Sequence, residues 1–262
     1  MDKHYLAPLF TPRSVVVFAG DAEQPEALTP QARVLHQALA EQAFTGTLQH
    51  LDLHTSGTLA DLAHARADLA LIALPPAELS AALEVAGRMH CRSALVLSDG
   101  IGANEAAELK KIAQREDMAL LGPNCLGLQR PQLKLNASAM GPLARTGSLA
   151  LVSQSGALTS SMLDWAARNA VGFSQVASLG PGSPVDIAEV LDFLASDAQT
   201  HSIIVYLEGI HNARRFMSAL RSAAIAKPVV VLKAGRKPAG NEAAHTHSGA
   251  IVGSDDVFDS AL

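Results

Sequence analysis

Cysteine is scarce: only Cys91 and Cys125 occur among 262 residues. Two distant thiols with no C-x-x-C pair outline neither a disulfide framework nor a metal site, and no metal is expected on this chain's own residues. Aromatic residues make up 4% of the chain, which leaves few platforms for stacking bases. Positive charge is not in surplus either. Twenty Lys and Arg stand scattered against 25 Asp and Glu, for a formal net charge of -5, so the footprint of nucleic-acid binding is missing and no nucleic acid is expected as a ligand. No run reaches the ~18 continuous apolar residues of a membrane span. The short β-branched run near the start, Val15-Val16-Val17, has no secretory cleavage pattern behind it. A cytoplasmic protein without a membrane partner is expected, and the sequon Asn136-Ala137-Ser138 then carries no meaning.

What is present is 48% hydrophobic residues, distributed in short aliphatic runs that alternate with Ala-rich segments of helical spacing. That alternation predicts an α/β fold with parallel sheets covered by helices. In the first half, strands are expected at 14–19, 47–53, 69–74, 94–97 and 119–121. Helices are expected at 32–42, 78–89 and 104–116, the last with Asn104 as its N-cap. The pattern restarts with strands at 148–152, 175–178, 202–207 and 228–233, and helices at 157–168, 187–195 and 212–226. Two domains are therefore expected, 1–140 and 147–262. The boundary falls in the aperiodic stretch 131–147, which has two prolines and two glycines. The last residues, 254–262, look like the first turns of a helix without an end signal, and a further segment or subunit is expected to complete it.

Five places could carry chemistry. Gly20-Asp21 follows the first strand, where mononucleotide-binding folds place a ligand loop, but no G-x-G-x-x-G is present; a CoA loop and an ordinary strand-to-helix turn are both open. Gly122-Pro123-Asn124-Cys125-Leu126-Gly127 combines a flexible glycine, a restricted proline and an amide with donor and acceptor. It reads either as a loop holding a ligand amide or as a buried turn stabilised by Asn124, with Cys125 a small buried residue rather than a nucleophile.

Ser153-Gln154-Ser155-Gly156-Ala157 joins a strand to a helix. The helix N-terminus offers unpaired N–H groups and about half a positive charge to an anion, while capping by Ser155 accounts for the same residues. His245-Thr246-His247 lies in a Gly- and Ala-rich loop. A loop imidazole can attack a phosphoryl group when its other nitrogen is held; a solvent-exposed histidine is the alternative, and no third ligand supports zinc. Glu208, at the end of a strand, is a carboxylate able to orient an imidazole or merely a surface acid.

Taken in order, these motifs resemble the α-like region of the NDP-forming acyl-CoA synthetases, which include ADP-forming acetyl-CoA synthetase and succinyl-CoA synthetase. The resemblance is carried by residues 9–15 (LFTPRSV), GPNCLG at 122–127, SQSGAL at 153–158, ASLG at 177–180, YLEGI at 206–210, KPVVVLKAGR at 227–236 and HSGAIVGSD at 247–255. It implies a CoA-binding Rossmann-like domain followed by a flavodoxin-like succinyl-CoA-synthetase-type domain. Gly20, Asp21, Asn124 and Cys125 would meet CoA. His247, rather than His245, would be phosphorylated, with Ser153, Ser155, Gly156 and Ala157 cradling the phosphate and Glu208 steadying the imidazole.

The implied reaction interconverts acyl-CoA, ADP and phosphate with a carboxylic acid, CoA and ATP. ATP, ADP and Mg²⁺ would be handled by an ATP-grasp domain or subunit, in a homo- or hetero-oligomer. One departure supports an alternative. The family's first loop is glycine-rich, whereas here no glycine follows Gly20 until Gly46. Related bacterial proteins fuse this region to a GNAT acetyltransferase, so an acyl-CoA-binding regulatory region of a protein lysine acetyltransferase is the competing expectation.

Overall fold

The computed structural model describes residues 4–53, 66–180, 182–210 and 212–234. After a short helix α1 (Ala7–Phe10), five strands form one wholly parallel sheet: β1 (Ser14–Phe18), β2 (Thr47–His50), β3 (Leu69–Ile72), β4 (Ser93–Val96) and β5 (Ala119–Leu121), in the order β2-β1-β3-β4-β5. Every position of β3 and β4 is buried, as expected of strands covered on both faces. Successive side chains go to opposite sides. Val15, Val17, Leu69 and Leu71 pack with α2 (Pro30–Glu41), while Val16, Phe18, Ala70 and Ile72 pack with α3 (Leu79–Arg88) and α4 (Ala103–Arg115). Helix α2 begins with Thr29 accepting the Ala32 N–H and Pro30 in the first turn, a favourable start. Helix α4 is capped differently from the expectation. Gly102, not Asn104, is its N-cap, and the Glu105 carboxylate accepts the Gly102 N–H at 3.1 Å.

The second sheet runs β11-β10-β8-β9-β6-β7, built from β6 (Gly127–Arg130), β7 (Leu135–Ser138), β8 (Thr146–Ser153), β9 (Phe173–Ser178), β10 (Ser202–Leu207) and β11 (Val229–Lys233). Strands β8 to β11 are parallel, and β6 is antiparallel to both of its neighbours. Helices α5 (Gly156–Arg168), α6 (Ile187–Ser196) and α7 (Ala213–Ala226) connect the parallel strands. The sequence pattern does not predict the β6–β7 hairpin. Its strand residues are all buried, yet Gln129, Asn136 and Ser138 are polar and bond to one another, Gln129 Nε2 to Asn136 Oδ1 at 3.2 Å and Ser138 Oγ to the same oxygen at 2.6 Å. Polar residues satisfied inside a sheet erase the apolar alternation by which a strand is read. The hydrogen-bonded sheets thus change over at 122–126, upstream of the aperiodic stretch 131–147, which holds β7 and the start of β8.

One hydrophobic core crosses between the sheets, with Leu9, Phe10 and Leu121 packed with Leu128, Val152 and Leu191. The Phe10 and Phe193 rings lie 4.9 Å apart, and Tyr5 donates to Glu189 of α6 at 2.6 Å, so Tyr5 and Phe10 are pinned on the second sheet's helix. Among the described residues no helix is long and apolar enough to cross a membrane.

At the far end of β6, Arg130 makes a two-pronged ion pair with Asp197 after α6, both contacts 2.8 Å, with side chains 2% and 8% exposed. Thr200 also donates to Asp197, and the Lys227 ammonium donates to the Leu194 and Asp197 carbonyls at the same helix end. Burial alone would raise the Asp197 pKa, but bonds from Arg130 and Thr200 outweigh it and the net shift is downward. Replacing Arg130 by Ala strands a buried carboxylate and should cost about 3–5 kcal/mol of stability, read as a lower urea midpoint. Because the folded-state pKa of Asp197 lies below the unfolded one, its contribution is present above the ordinary aspartate pKa. It fades as pH falls through the lower folded value. The Asp197→Asn protein should show a flatter decline of melting temperature below pH 5 than the parent.

Candidate functional site

Among the described residues, those singled out from sequence stand at the carboxyl edges of the two sheets, where open α/β sheets bind ligands. In the second sheet, Ser153 ends β8 opposite Tyr206 of β10. The Ser153 hydroxyl is buried within the turn, accepting the Ser155 N–H at 3.0 Å and donating to the Ser155 carbonyl at 2.9 Å. Ser155 is the N-cap of α5 and accepts the Leu158 N–H; its carbonyl takes both the Thr159 N–H and hydroxyl. Capping engages the Ser155 oxygen as an acceptor and leaves its O–H able to donate. The first two helical N–H groups, those of Gly156 and Ala157, have no partner within a helix by construction and are the backbone donors this turn can offer an anion. Leu126 of the GPNCLG loop lies over Gly156, its Cδ1 2.7 Å from where a Cβ would stand, so that glycine makes room for the first domain's loop.

Gln154, quoted within its motif but given no role in the sequence reading, ties this turn to the next strand. Its side-chain oxygen accepts the Glu208 N–H at 2.7 Å and the Gly209 N–H at 3.0 Å, and its amide nitrogen donates to the Gly209 carbonyl at 3.0 Å. Glu208 thus stands one strand over from the serine turn on a braced backbone. It lies close enough to Tyr206 that its charge, after burial, helps raise that phenol's pKa. His245 and His247 lie outside the described residues, as does the terminal helix expected over 254–262.

The GPNCLG loop is a brace. Asn124 stands in the left-handed region with φ 58°, which asparagine tolerates better than most residues. Its side chain is engaged at both ends by Ile101, accepting from N at 3.0 Å and donating to O at 2.9 Å. Cys125 is buried, its Sγ 3.5 Å from the Val96 carbonyl, and burial pushes the thiol up to about 12, so it is not a thiolate at neutral pH. Gly20 and Asp21 stand elsewhere on the same edge. They line a cavity of about 880 Å³ together with Glu23, His36, His50 and Asp52, and they also border a second cavity of about 280 Å³ reaching Thr29 and Glu78. The first is of the size small-molecule ligands occupy. Asn124 and Cys125 line neither. The sequence does not reveal the histidines of this cavity, because His36 and His50 stand far apart on a helix and a strand, and only the fold brings them together.

The CoA binding domain family matches residues 47–131, and the succinyl-CoA ligase like flavodoxin domain family matches 146–262. The chain is a CoA-binding domain followed by a succinyl-CoA ligase like flavodoxin domain. It is 39% identical over 201 residues to the ADP-forming acetate–CoA ligase I of Archaeoglobus fulgidus, covering 74% of this chain and 29% of that protein. To the α subunit of the corresponding Pyrococcus furiosus ligase it is 35% identical over 202 residues, covering 74% and 44%. The chain thus spans less than half the length of these relatives. A dinucleotide-forming acetyl-coenzyme A synthetase 1 of Ca. Korarchaeum cryptofilum, solved in complex with phosphate and ADP, superposes with a TM-score of 0.87 at 27% identity, covering 98% of this chain and 57% of that one.

Gly180 lets the two edges approach closely. A Cβ there would collide with the Asn124 carbonyl oxygen and stand 2.6 Å from that of Pro123, backbone atoms that cannot swing aside. Gly180→Ala should cost roughly 2 kcal/mol or more of stability, in the range of overpacked interiors, whereas Gly102→Ala, whose Cβ meets only Glu105 at 3.7 Å, should cost no more than about 1 kcal/mol, the preference of an N-cap for glycine over alanine. Thermal melts of the two variants side by side check this.

Proposed function

We propose that this chain is the α-like part of an ADP-forming acyl-CoA synthetase, interconverting acyl-CoA, ADP and phosphate with a carboxylic acid, CoA and ATP by way of phosphorylated His247. The observation that carries the reading is the serine turn braced to Glu208 through Gln154, which puts helix N–H donors and a carboxylate on adjacent strand ends. Phosphate would sit on the Gly156 and Ala157 N–H groups inside the frame made by Ser153 and Ser155, and Glu208 would hold one imidazole nitrogen of His247 so that the other is free to attack phosphorus. CoA would enter the cavity at Gly20 and Asp21, bordered by the edge that the Asn124–Cys125 loop shapes. Nucleotide and Mg²⁺ would be handled on an ATP-grasp domain or subunit, the whole working in the cytoplasm as an oligomer. Acetate is the first acid to test, because the relatives named above are acetate–CoA ligases. Those relatives favour this ligase reading over an acyl-CoA-binding region of a GNAT acetyltransferase.

Labelled ATP and Mg²⁺, given to the chain together with its ATP-grasp partner, should yield an acid-labile phosphoryl label that His245→Ala keeps and His247→Ala loses. A folded, active preparation that never takes up label would remove the phosphohistidine mechanism. Gln154→Leu should reduce the rate of label transfer by about 10- to 100-fold and cost about 1–3 kcal/mol of stability, since it frees the Glu208–Gly209 backbone that orients the carboxylate; an unchanged rate in protein still folded at the assay temperature would make the brace purely structural.

A further inference from the structure

The cavity beside Gly20 poses an electrostatic problem for the ligand assigned to it. CoA brings a diphosphate and a ribose phosphate, yet among the described residues the cavity wall carries three carboxylates, Asp21, Glu23 and Asp52, and no lysine or arginine. The sequence sharpens the point. Between Arg13 and Arg66 the only lysine or arginine is Arg33, an exposed residue near the start of α2. The groups on the wall that can become cationic are His36 of α2 and His50 at the end of β2, whose rings stack 5.2 Å apart at an interplanar angle of 16°. His36 Nε2 also lies 3.2 Å from the Ala19 carbonyl, which fixes that ring beside the first loop.

We propose that the His36–His50 pair is the phosphate-recognising element of this cavity and that CoA binding takes up a proton there, so that affinity rises as pH falls toward 6. The inference rests on the CoA reading of this domain and adds to it the means of recognition and its pH dependence. Among the described residues, the charged and titratable groups that line the cavity with the pair are Asp21 and Glu23 from the first loop and Asp52 beyond β2; the β1 residues from Val15 to Phe18 are uncharged.

The physical chain is short. In the free protein, burial and the neighbouring imidazole hold the His50 pKa below its usual value, so His50 favours its neutral state near pH 7 and the wall is net negative. A phosphate brought against the rings favours imidazolium and raises the pKa in the complex. A group whose pKa is higher in the complex than in the free protein adds affinity below the complex's value and loses it above. Because a phosphomonoester itself takes up a proton at about pH 6, the gain saturates there.

Isothermal titration of CoA and of dephospho-CoA into the protein at pH 6.5 and 8.0 tests this. CoA should bind about tenfold more tightly at pH 6.5, the scale set by uptake of roughly one proton. His36→Gln and His50→Gln should flatten that dependence, and His50→Lys, which fixes a positive charge, should bind CoA as tightly at pH 8.0 as the parent does at 6.5. Dephospho-CoA, which lacks the ribose phosphate, should show the same trend if the diphosphate is the group read and a flat profile if the ribose phosphate is; either supports the pair as the recognising element. Equal CoA affinity at both pH values, or a slope that survives in both glutamine variants, overturns the inference while leaving the CoA reading in place. No CoA binding at either pH overturns the CoA reading and this inference with it.

Discussion

Everything at the functional edge depends on how closely backbone can approach backbone where the chain leaves the first sheet for the second. Strand β5 ends at Leu121 on the carboxyl edge of the parallel sheet, and β6, running antiparallel to β9, begins at Gly127 beside Ser178, the last residue of β9. The crossing therefore joins the carboxyl edge of one sheet to the carboxyl edge of the other in a few residues. Gly180 lies directly against the Pro123 and Asn124 carbonyls, the Val185 N–H bonds the Leu120 carbonyl, and the Gly122 N–H is taken by the Ser183 hydroxyl. A longer or bulkier crossing would let the sheets rotate apart. Here the two edges face a common side, as a protein needs if it is to carry one group between two ligand sites.

Above that crossing, the bonds are arranged so that side chains brace backbone and backbone is left for ligands. Asn124 spends its amide on Ile101, Gln154 spends its amide on Glu208 and Gly209, and the two serines close the turn on themselves. Each of these side-chain bonds is worth only about 1 kcal/mol net. Their value lies in fixing where unpaired N–H groups and one carboxylate stand, and preorganised dipoles cost no rearrangement when charge develops.

Strands β1, β3 and β4 are legible in the sequence because their burial is largely two-sided and aliphatic, and β10 and β11 because β-branched residues recur in them. The β6–β7 hairpin is not, since Gln129, Asn136 and Ser138 are interior residues that satisfy one another and so resemble a loop on paper. The serine turn and Glu208 are legible as candidates because both sit at strand ends, but Gln154 acquires its part only when β8 and β10 are neighbours. The residues of GPNCLG are legible as a motif, yet the fold gives Asn124 and Cys125 a bracing and a packing place away from the cavities. Sequence marks which residues belong to an edge; pairing of strands decides what each one touches.

The segment that forms the serine turn carries no fixed cation, and under the proposed reaction that has its own logic. Between Arg145 and Arg168 no lysine or arginine occurs, so the turn itself offers helix N–H groups and a partial charge of about half a unit. A buried guanidinium would hold a phosphate more firmly, but binding substrate and transition state equally well lowers the ground state without speeding the step. A phosphoryl group that must arrive, attach to an imidazole and leave again is better served by donors whose field is fixed and modest. Under the inference drawn for the cavity at Gly20 the same reasoning extends there, since imidazoles in place of lysines would let ligand charge be held at one protonation state and released at the other.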